Sequence, residues 1–115
     1  MTQWLDRTSI EIAICEDREL VIDLESMFRA LQPDLESRIE QAISDNHFTE
    51  VREAAHLLKT RLRHLHLPTL GSEAEALERQ AIAQNRNEIL LSYFTLKRKI
   101  AEGLTEFELY VGGGS

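Results

Sequence analysis

The feature that most constrains the fold is a three-and-four spacing of apolar residues, which recurs between residues 20 and 107. Side chains at this spacing fall on one face of an α-helix, and other apolar residues must cover that face. No segment of useful length alternates with the period of two that marks a β-strand. The sequence therefore predicts an all-α protein. Its clearest apolar stripe consists of Phe48, Val51, Ala55, Leu58, Leu62 and Leu65.

Polar turns and a proline divide the apolar pattern into four main helices. Trp4, Leu5 and Ile10 indicate a further short helix before the charged run at residues 16–19, with Trp4 and Leu5 covering one end of the core. Short connections predict an up-down-up-down four-helix bundle with a short extra N-terminal helix. Apolar residues at positions 20–31 predict the first main helix, and those at positions 35–43 predict a further helix that begins at Asp34, after Pro33. The apolar residues of the other main helices span residues 48–65, 67–81 and 89–107.

Local turn chemistry predicts where these helices begin and end. Proline disfavours helical conformation in the residue before it, so the first main helix should stop or kink at Gln32-Pro33. Asp45 or Asn46 should cap the start of the second helix, and Thr69 the start of the third. The apolar residues of the first main helix should share one core-facing side: Leu20, Leu24, Met27, Phe28 and Leu31.

Charge, cysteine content and length narrow the class of protein. Thirteen Lys and Arg against twenty Asp and Glu give a net charge of −7, which opposes binding to nucleic acid. A signal-peptide pattern and a long apolar run are both missing, which predicts a cytoplasmic protein without membrane contact. Cys15 is the single cysteine and lies in an apolar run, so we expect a small buried side chain and no disulfide. We assign residues 1–110 to one helical domain and residues 111–115 to an artificial linker or a disordered tail.

His56 lies on the polar side of the helix that carries the clearest apolar stripe. At about 100° per residue, it points about 130° away from the stripe, and Arg52, Lys59, Thr60 and Arg63 fall within about 60° of it. The sequence therefore predicts an exposed histidine among cations. Such cations disfavour a second proton on the imidazole and attract a phosphoryl group, which leaves one ring nitrogen as a nucleophile.

The other histidines suggest no metal site. His64 and His66 are two residues apart, and side chains at that spacing diverge on a helix. No histidine or carboxylate four residues away completes a ligand set. We expect His66 to be a turn residue and His47 a surface residue.

The segment around His56 resembles a known family. Ala55-His56-Leu57-Leu58-Lys59 looks like the A-H-x-L-K core of histidine-containing phosphotransfer (HPt) domains. Residues 27–35 and 42–46 are similar to the family's F-x-x-x-x-P-x-x-L and A-[x]-x-x-[DN] segments, and residues 65–78 resemble its L-G-A-x-x-L…L-E segment. The resemblance covers roughly residues 5–109.

This resemblance implies a phosphorelay intermediate. His56 would accept a phosphoryl group from the aspartyl phosphate of a receiver domain and pass it to a response regulator, while Lys59 would stabilise the phosphoryl oxygens. The chain would be a phosphocarrier domain, not an enzyme, with no cofactor of its own, because the receiver carries the Mg²⁺. We expect a monomer. The residues expected to dock the receiver are Arg52, Glu53, Leu57, Thr60 and Arg63.

Two alternatives follow from departures in the motif. Thr60 and His66 stand where the family usually has glycine, so the chain could be an HPt-like module that binds a receiver or another regulator without relaying phosphate. The run from His56 to Leu62 is also similar to the H-box of sensor histidine kinases, whose dimerisation domain is the third hypothesis. In that box an acidic residue follows the histidine, whereas Leu57 follows it here, which favours transfer from an activated phosphate over attack on ATP.

Overall fold

The computed structural model describes residues 4–112, and these residues form four helices without a strand. The prediction of an all-α fold is confirmed. No helix within this described part is long and apolar enough to span a bilayer. The four helices are α1 (Arg7–Ser44), α2 (Phe48–His64), α3 (Pro68–Ile82) and α4 (Arg86–Val111).

Consecutive helices pack side by side, and α1 also packs against α4. This closes the four-helix bundle and places α2 and α4 at opposite corners. The core is aliphatic with three aromatic side chains, Phe28, Tyr93 and Phe107, which are almost fully buried. Each helix therefore turns one apolar side inward, and the three-and-four spacing in the sequence is the signature of that side. Among the fully buried side chains are Ile39, Leu58, Leu62, Leu65, Leu70, Leu77, Ile89 and Leu96.

The N-terminal part of α1 is a short separate segment, as predicted. Asp17 has extended backbone angles (φ −160°, ψ 89°) that break α1, and its carboxylate accepts a hydrogen bond from the Leu20 amide at 3.1 Å. Leu5 is buried, and the backbone amides of Trp4 and Leu5 donate to Glu106 Oε1 at 2.7 and 3.1 Å. Residues 4–16 thus cover one end of the core.

Several details of α1 differ from the predictions. The helix neither stops at Pro33 nor leaves helical backbone angles at Gln32, because packing against α2 and α4 outweighs the local preference. Cys15 is exposed, since the short segment buries Ile10 on its other side. The main part of α1 buries a stripe one position away from the predicted one, which leaves three of the five predicted core residues exposed: Leu20, Met27 and Leu31.

The three turns between helices share one design. Each contains a non-glycine residue in the left-handed region, namely Asn46 (φ 57°), His66 (φ 62°) or Gln84 (φ 56°). The amide after each of them donates back to a carbonyl five residues earlier, as in a Schellman motif. These three bonds are His47 to Ala42 (2.8 Å), Leu67 to Leu62 (3.1 Å) and Asn85 to Gln80 (3.2 Å).

This design explains why the predicted caps of α2 and α3 were wrong. Asn46 ends α1 instead of starting α2, whose N-cap is His47 without a side-chain capping bond. Thr69 lies inside α3, because Pro68 already occupies the first turn and Leu67 is the N-cap. At the C-terminus, Val111 is buried and is the last residue of α4, so it belongs to the bundle and not to a tail. Residues 113–115 lie outside the described part of the chain.

Replacing Gln84 by Gly should raise the free energy of unfolding by about 0.5–1 kcal/mol, because glycine adopts positive φ without steric cost. Gln84 is exposed. Asn46→Gly should give a smaller gain, since asparagine tolerates the left-handed region better than glutamine. Urea denaturation of the three proteins measures both effects. A loss of stability in Gln84→Gly would show that the glutamine side chain outweighs its backbone cost.

Candidate functional site

His56 lies on the solvent side of α2, with 60% of its side chain exposed. Its orientation follows from the opposite side of the helix, where Ala55, Leu58 and Leu62 are buried in the core. The exposure predicted from the apolar stripe is thus confirmed. The immediate surroundings of the imidazole come from α3 and not from α2 alone.

Glu78 on α3 holds the imidazole of His56. Its Oε2 lies 3.1 Å from His56 Nδ1, and only 17% of the glutamate side chain is exposed. An ionised carboxylate can only accept hydrogen bonds, so this contact places the ring proton on Nδ1. The other nitrogen, Nε2, then keeps its lone pair and is the nucleophilic atom of the ring.

Gly71 explains why α3 can reach α2 at this point. A Cβ atom at Gly71 would lie 2.9 Å from Arg63 Cγ, so the two helices approach closely there. Residues at i, i+4 and i+7 share one face of a helix, and in α3 these are Gly71, Glu75 and Glu78. This face points to α2 and delivers two carboxylates beside the polar side of that helix.

Lys59 is bound by these two carboxylates. Its Nζ lies 3.3 Å from Glu78 Oε1 and 3.6 Å from Glu75 Oε2, and only 14% of its side chain is exposed. Glu75 also contacts Arg63 at 3.7 Å and Arg79 at 3.3 Å. Lys59 is the main cause of a lowered pKa at the Glu75 carboxyl, with smaller contributions from the two arginines.

The predicted cationic surroundings of His56 therefore need correction. The charged group nearest to the ring is the carboxylate of Glu78, and the cations Lys59 and Arg63 are paired with glutamates of α3. The polar side of α2 alone could not reveal these acids. The only signal in the sequence is the i, i+4, i+7 relation of Gly71, Glu75 and Glu78.

The predicted docking residues occupy different positions around His56. Arg52 is exposed, whereas Glu53 faces α1 and lies 3.8 Å from Arg38. Leu57 is half-buried against the core. Thr60 is exposed, and its hydroxyl donates to the backbone carbonyl of His56 at 3.3 Å. The hydroxyl is therefore engaged with its own helix.

His66 connects the turn between α2 and α3 to the N-terminal segment. Its Nδ1 forms a hydrogen bond with the Ser9 hydroxyl, and its carbonyl accepts from the Asp6 amide at 2.8 Å. Partial burial lowers the pKa of the His66 imidazole, although the Asp6 carboxylate opposes this shift. The left-handed backbone at this position is the conformation that glycine favours. His66 retains that conformation and adds a tie to the N-terminal segment.

A shallow apolar groove runs between α1 and α2 on the other side of α2. Its volume is about 120 Å³, and it includes the exposed side chains Met27 and Leu31. The sequence prediction placed these residues in the core, so it missed the groove. The residues that line it are Leu24, Met27, Phe28, Leu31, Arg61, His64 and Leu65.

The fold and the site together define a small helical bundle that presents one carboxylate-bound, exposed histidine at the middle of a helix. Within residues 4–112, no group of three or more metal-ligating side chains is close enough to hold a metal ion. The family model described as Hpt domain matches residues 23–106, and the chain belongs to this family. Hpt domains act in phosphotransfer of two-component systems and are phosphocarrier modules. No curated protein and no solved structure matches the chain.

Proposed function

We propose that this chain is a phosphorelay intermediate that carries a phosphoryl group on His56 Nε2, between the aspartyl phosphate of one receiver domain and the aspartate of a response regulator. The observation that carries the proposal is the contact of His56 Nδ1 with Glu78, which fixes the tautomer that leaves Nε2 nucleophilic. The 60% exposure of the His56 side chain supports access of a receiver to that nitrogen.

The chemistry balances without an added proton donor. The Nε2 lone pair attacks phosphorus in line, the acyl phosphate P–O bond breaks, and the receiver aspartate leaves as a carboxylate. The phosphorylated ring then carries a positive charge and the Nδ1 proton, which the Glu78 carboxylate stabilises as in a catalytic triad. In the donating step the acceptor aspartate attacks, the P–N bond breaks, and the neutral ring with its Nδ1 proton is restored.

Lys59 would stabilise the phosphoryl oxygens from this side. It lies one helical turn from His56 on α2, and Glu75 and Glu78 keep its ammonium group there. The incoming phosphoryl group would compete with these carboxylates for the ammonium. Mg²⁺ carried by the receiver would supply the remaining charge compensation, so this chain needs no cofactor of its own.

The docking surface would combine exposed cations with the apolar groove. Arg52 and Arg63 on α2 would attract an acidic receiver surface and raise the rate of encounter. Thr60 and Leu57 adjoin His56, and the groove with Met27 and Leu31, between α1 and α2, would offer additional apolar contacts. An exposed Met or Leu in such a groove is well suited to an apolar partner surface.

Replacing Met27 by Glu should weaken receiver binding by about tenfold or more, because it places a charge in an apolar contact. Met27 is 58% exposed, so stability should change little. Ile12→Glu is the matched control, since Ile12 is 56% exposed but lies on the short N-terminal segment. Titration with an unphosphorylated receiver measures the affinities. Equal affinities for all three proteins would exclude the groove from the docking surface.

The proposal is tested by incubating the chain with a panel of receivers phosphorylated with labelled phosphate. Acid-labile label on the chain, followed by its transfer to a second receiver, is the expected result. Binding without label would establish instead a module that docks a receiver without relaying phosphate. If labelling requires ATP and the chain forms a two-chain bundle, the result would favour the dimerisation domain of a kinase.

We propose that the relay works in the reducing cytoplasm. The single, exposed thiol of Cys15 is compatible with that location.

A further inference from the structure

The outer side of α4 carries a regular seam of six residues, of which five are exposed and Thr95 is half-buried. Their spacing alternates between four and three, which is the a/d spacing of helices that pair with one another. A solvent-facing helix side usually carries mostly charged residues, yet Leu91 and Leu109 at the two ends of this seam are 74% and 68% exposed. The seam consists of Leu91, Thr95, Arg98, Glu102, Thr105 and Leu109.

The order of residue types in the seam is the same from either end, except that the two central residues, Arg98 and Glu102, carry opposite charges. Two copies of α4 in antiparallel orientation, related by a two-fold axis next to residue 100, would bring position i opposite position 200 − i. Leu91 would then face Leu109 of the second copy, and each such contact would occur twice. By the same rule, Thr95 would face Thr105 and Arg98 would face Glu102 of the second copy.

The central charges of the seam have no partner within the described chain. Arg98 and Glu102 are exposed, and neither forms an ion pair with any residue between positions 4 and 112. The charged residues beside the seam are paired internally. These pairs are Lys97 with Glu40 (2.8 Å), Lys99 with Glu73 (3.1 Å) and Glu108 with Arg29 (3.1 Å).

We propose that two copies of this chain associate through α4, with the seam as a self-complementary antiparallel interface. Phe94, which is 50% exposed beside the seam, would add apolar contact. From Leu91 to Leu109 the seam extends about 27 Å along the helix. With polar residues at its centre, this interface is weak and reversible, and the monomer expected from the sequence is the dilute form.

This association leaves the phosphotransfer site accessible. α2 is at the opposite corner of the bundle from α4, so both copies would present His56 to solvent. Association through α4 does not depend on phosphotransfer, and a measurement of the state of association tests it separately.

The test is sedimentation equilibrium of the full chain over a wide concentration series. The mass should rise from 13.2 kDa towards twice that value. Arg98→Glu and Glu102→Arg should each weaken association by about tenfold or more, since each turns two attractive contacts into repulsive ones. The double variant Arg98→Glu with Glu102→Arg should restore association, because it exchanges the charges within each contact.

Glu11→Arg is the control for net charge, because it changes the charge as Glu102→Arg does but lies on the N-terminal segment. It should leave association unchanged. A mass of 13.2 kDa at every concentration would overturn the proposal. So would single variants without effect, or a double variant that stays dissociated. Dimers that persist in Arg98→Glu and disappear in Met27→Glu would place the interface in the groove between α1 and α2, which would also overturn it.

Discussion

Replacing His56 by Gln should abolish labelling of this chain by phosphorylated receivers and change the free energy of unfolding by less than about 0.5 kcal/mol. The imidazole is the only part of the site with a nucleophilic nitrogen, and 60% of the side chain is exposed. The glutamine amide can still donate a hydrogen bond to Glu78, so the packing of α2 on α3 should persist. Scintillation counting after transfer measures the label, and thermal unfolding measures the stability.

His47→Gln is the matched control for this result. His47 is also exposed and is the N-cap of α2, but no carboxylate holds its ring in the part of the chain that the structure describes, and it does not line the groove. Its replacement should leave labelling intact. Label that remains on His56→Gln and disappears from His47→Gln would move the acceptor site to the start of α2. A large loss of stability in His56→Gln would contradict the exposed position of the ring.

Replacing Glu78 by Gln should slow phosphoryl transfer to His56 by about tenfold or more. The glutamine oxygen can accept a hydrogen bond from Nδ1–H, but as a neutral group it stabilises the positive charge of the phosphorylated ring less than the carboxylate does. A charge-assisted hydrogen bond is worth about 1.5–3 kcal/mol, of which about 1.4 kcal/mol corresponds to a factor of ten in rate. The partial exposure of the pair favours the lower part of that range. Single-turnover transfer from a labelled receiver gives the rate.

Glu75→Gln separates two explanations for that effect. Glu75 contacts Lys59 but not His56, so its replacement loosens the lysine without touching the ring. A small effect of Glu75→Gln beside a large effect of Glu78→Gln would assign the loss to the imidazole. Equal losses in both variants would show that the glutamates act by placing Lys59, and the proposed role of Glu78 at His56 would have to be abandoned.

The sequence was sufficient to predict the features that are set by the residues of a single helix. The spacing from Phe48 to Leu65 was enough to place Leu58 inside and His56 outside, because both follow from the rotation per residue of α2. The bundle followed from the number of such segments and their short connections. Glu78 as a partner of His56 could not be predicted in this way, since it depends on the register between α2 and α3.

The errors on α1 have a related cause. α1 has more apolar residues than the core can bury, so the sequence pattern allowed two neighbouring stripes as the buried side. The structure buries Val21 and Phe28 and leaves Leu20 and Met27 outside. Only the positions of α2 and α4 decide between the two stripes. The turns themselves were predicted, but their left-handed residues were not, because glycine is the usual signal of such a residue, and Asn46, His66 and Gln84 give a weaker one.

The break at Asp17 has a consequence for how this domain can be joined to others. The chain folds back there, so that Trp4 and Leu5 bind Glu106 near the end of α4, while Arg18 donates to the carbonyl of Val111 at 2.6 Å. Both ends of the described chain therefore emerge at the same end of the bundle. Linkers attached before and after it would leave in the same region, some three helical turns along α2 from His56. A receiver joined to the domain through either linker would therefore be tethered at the same end of the bundle. It would reach His56 along the outer surface of α2.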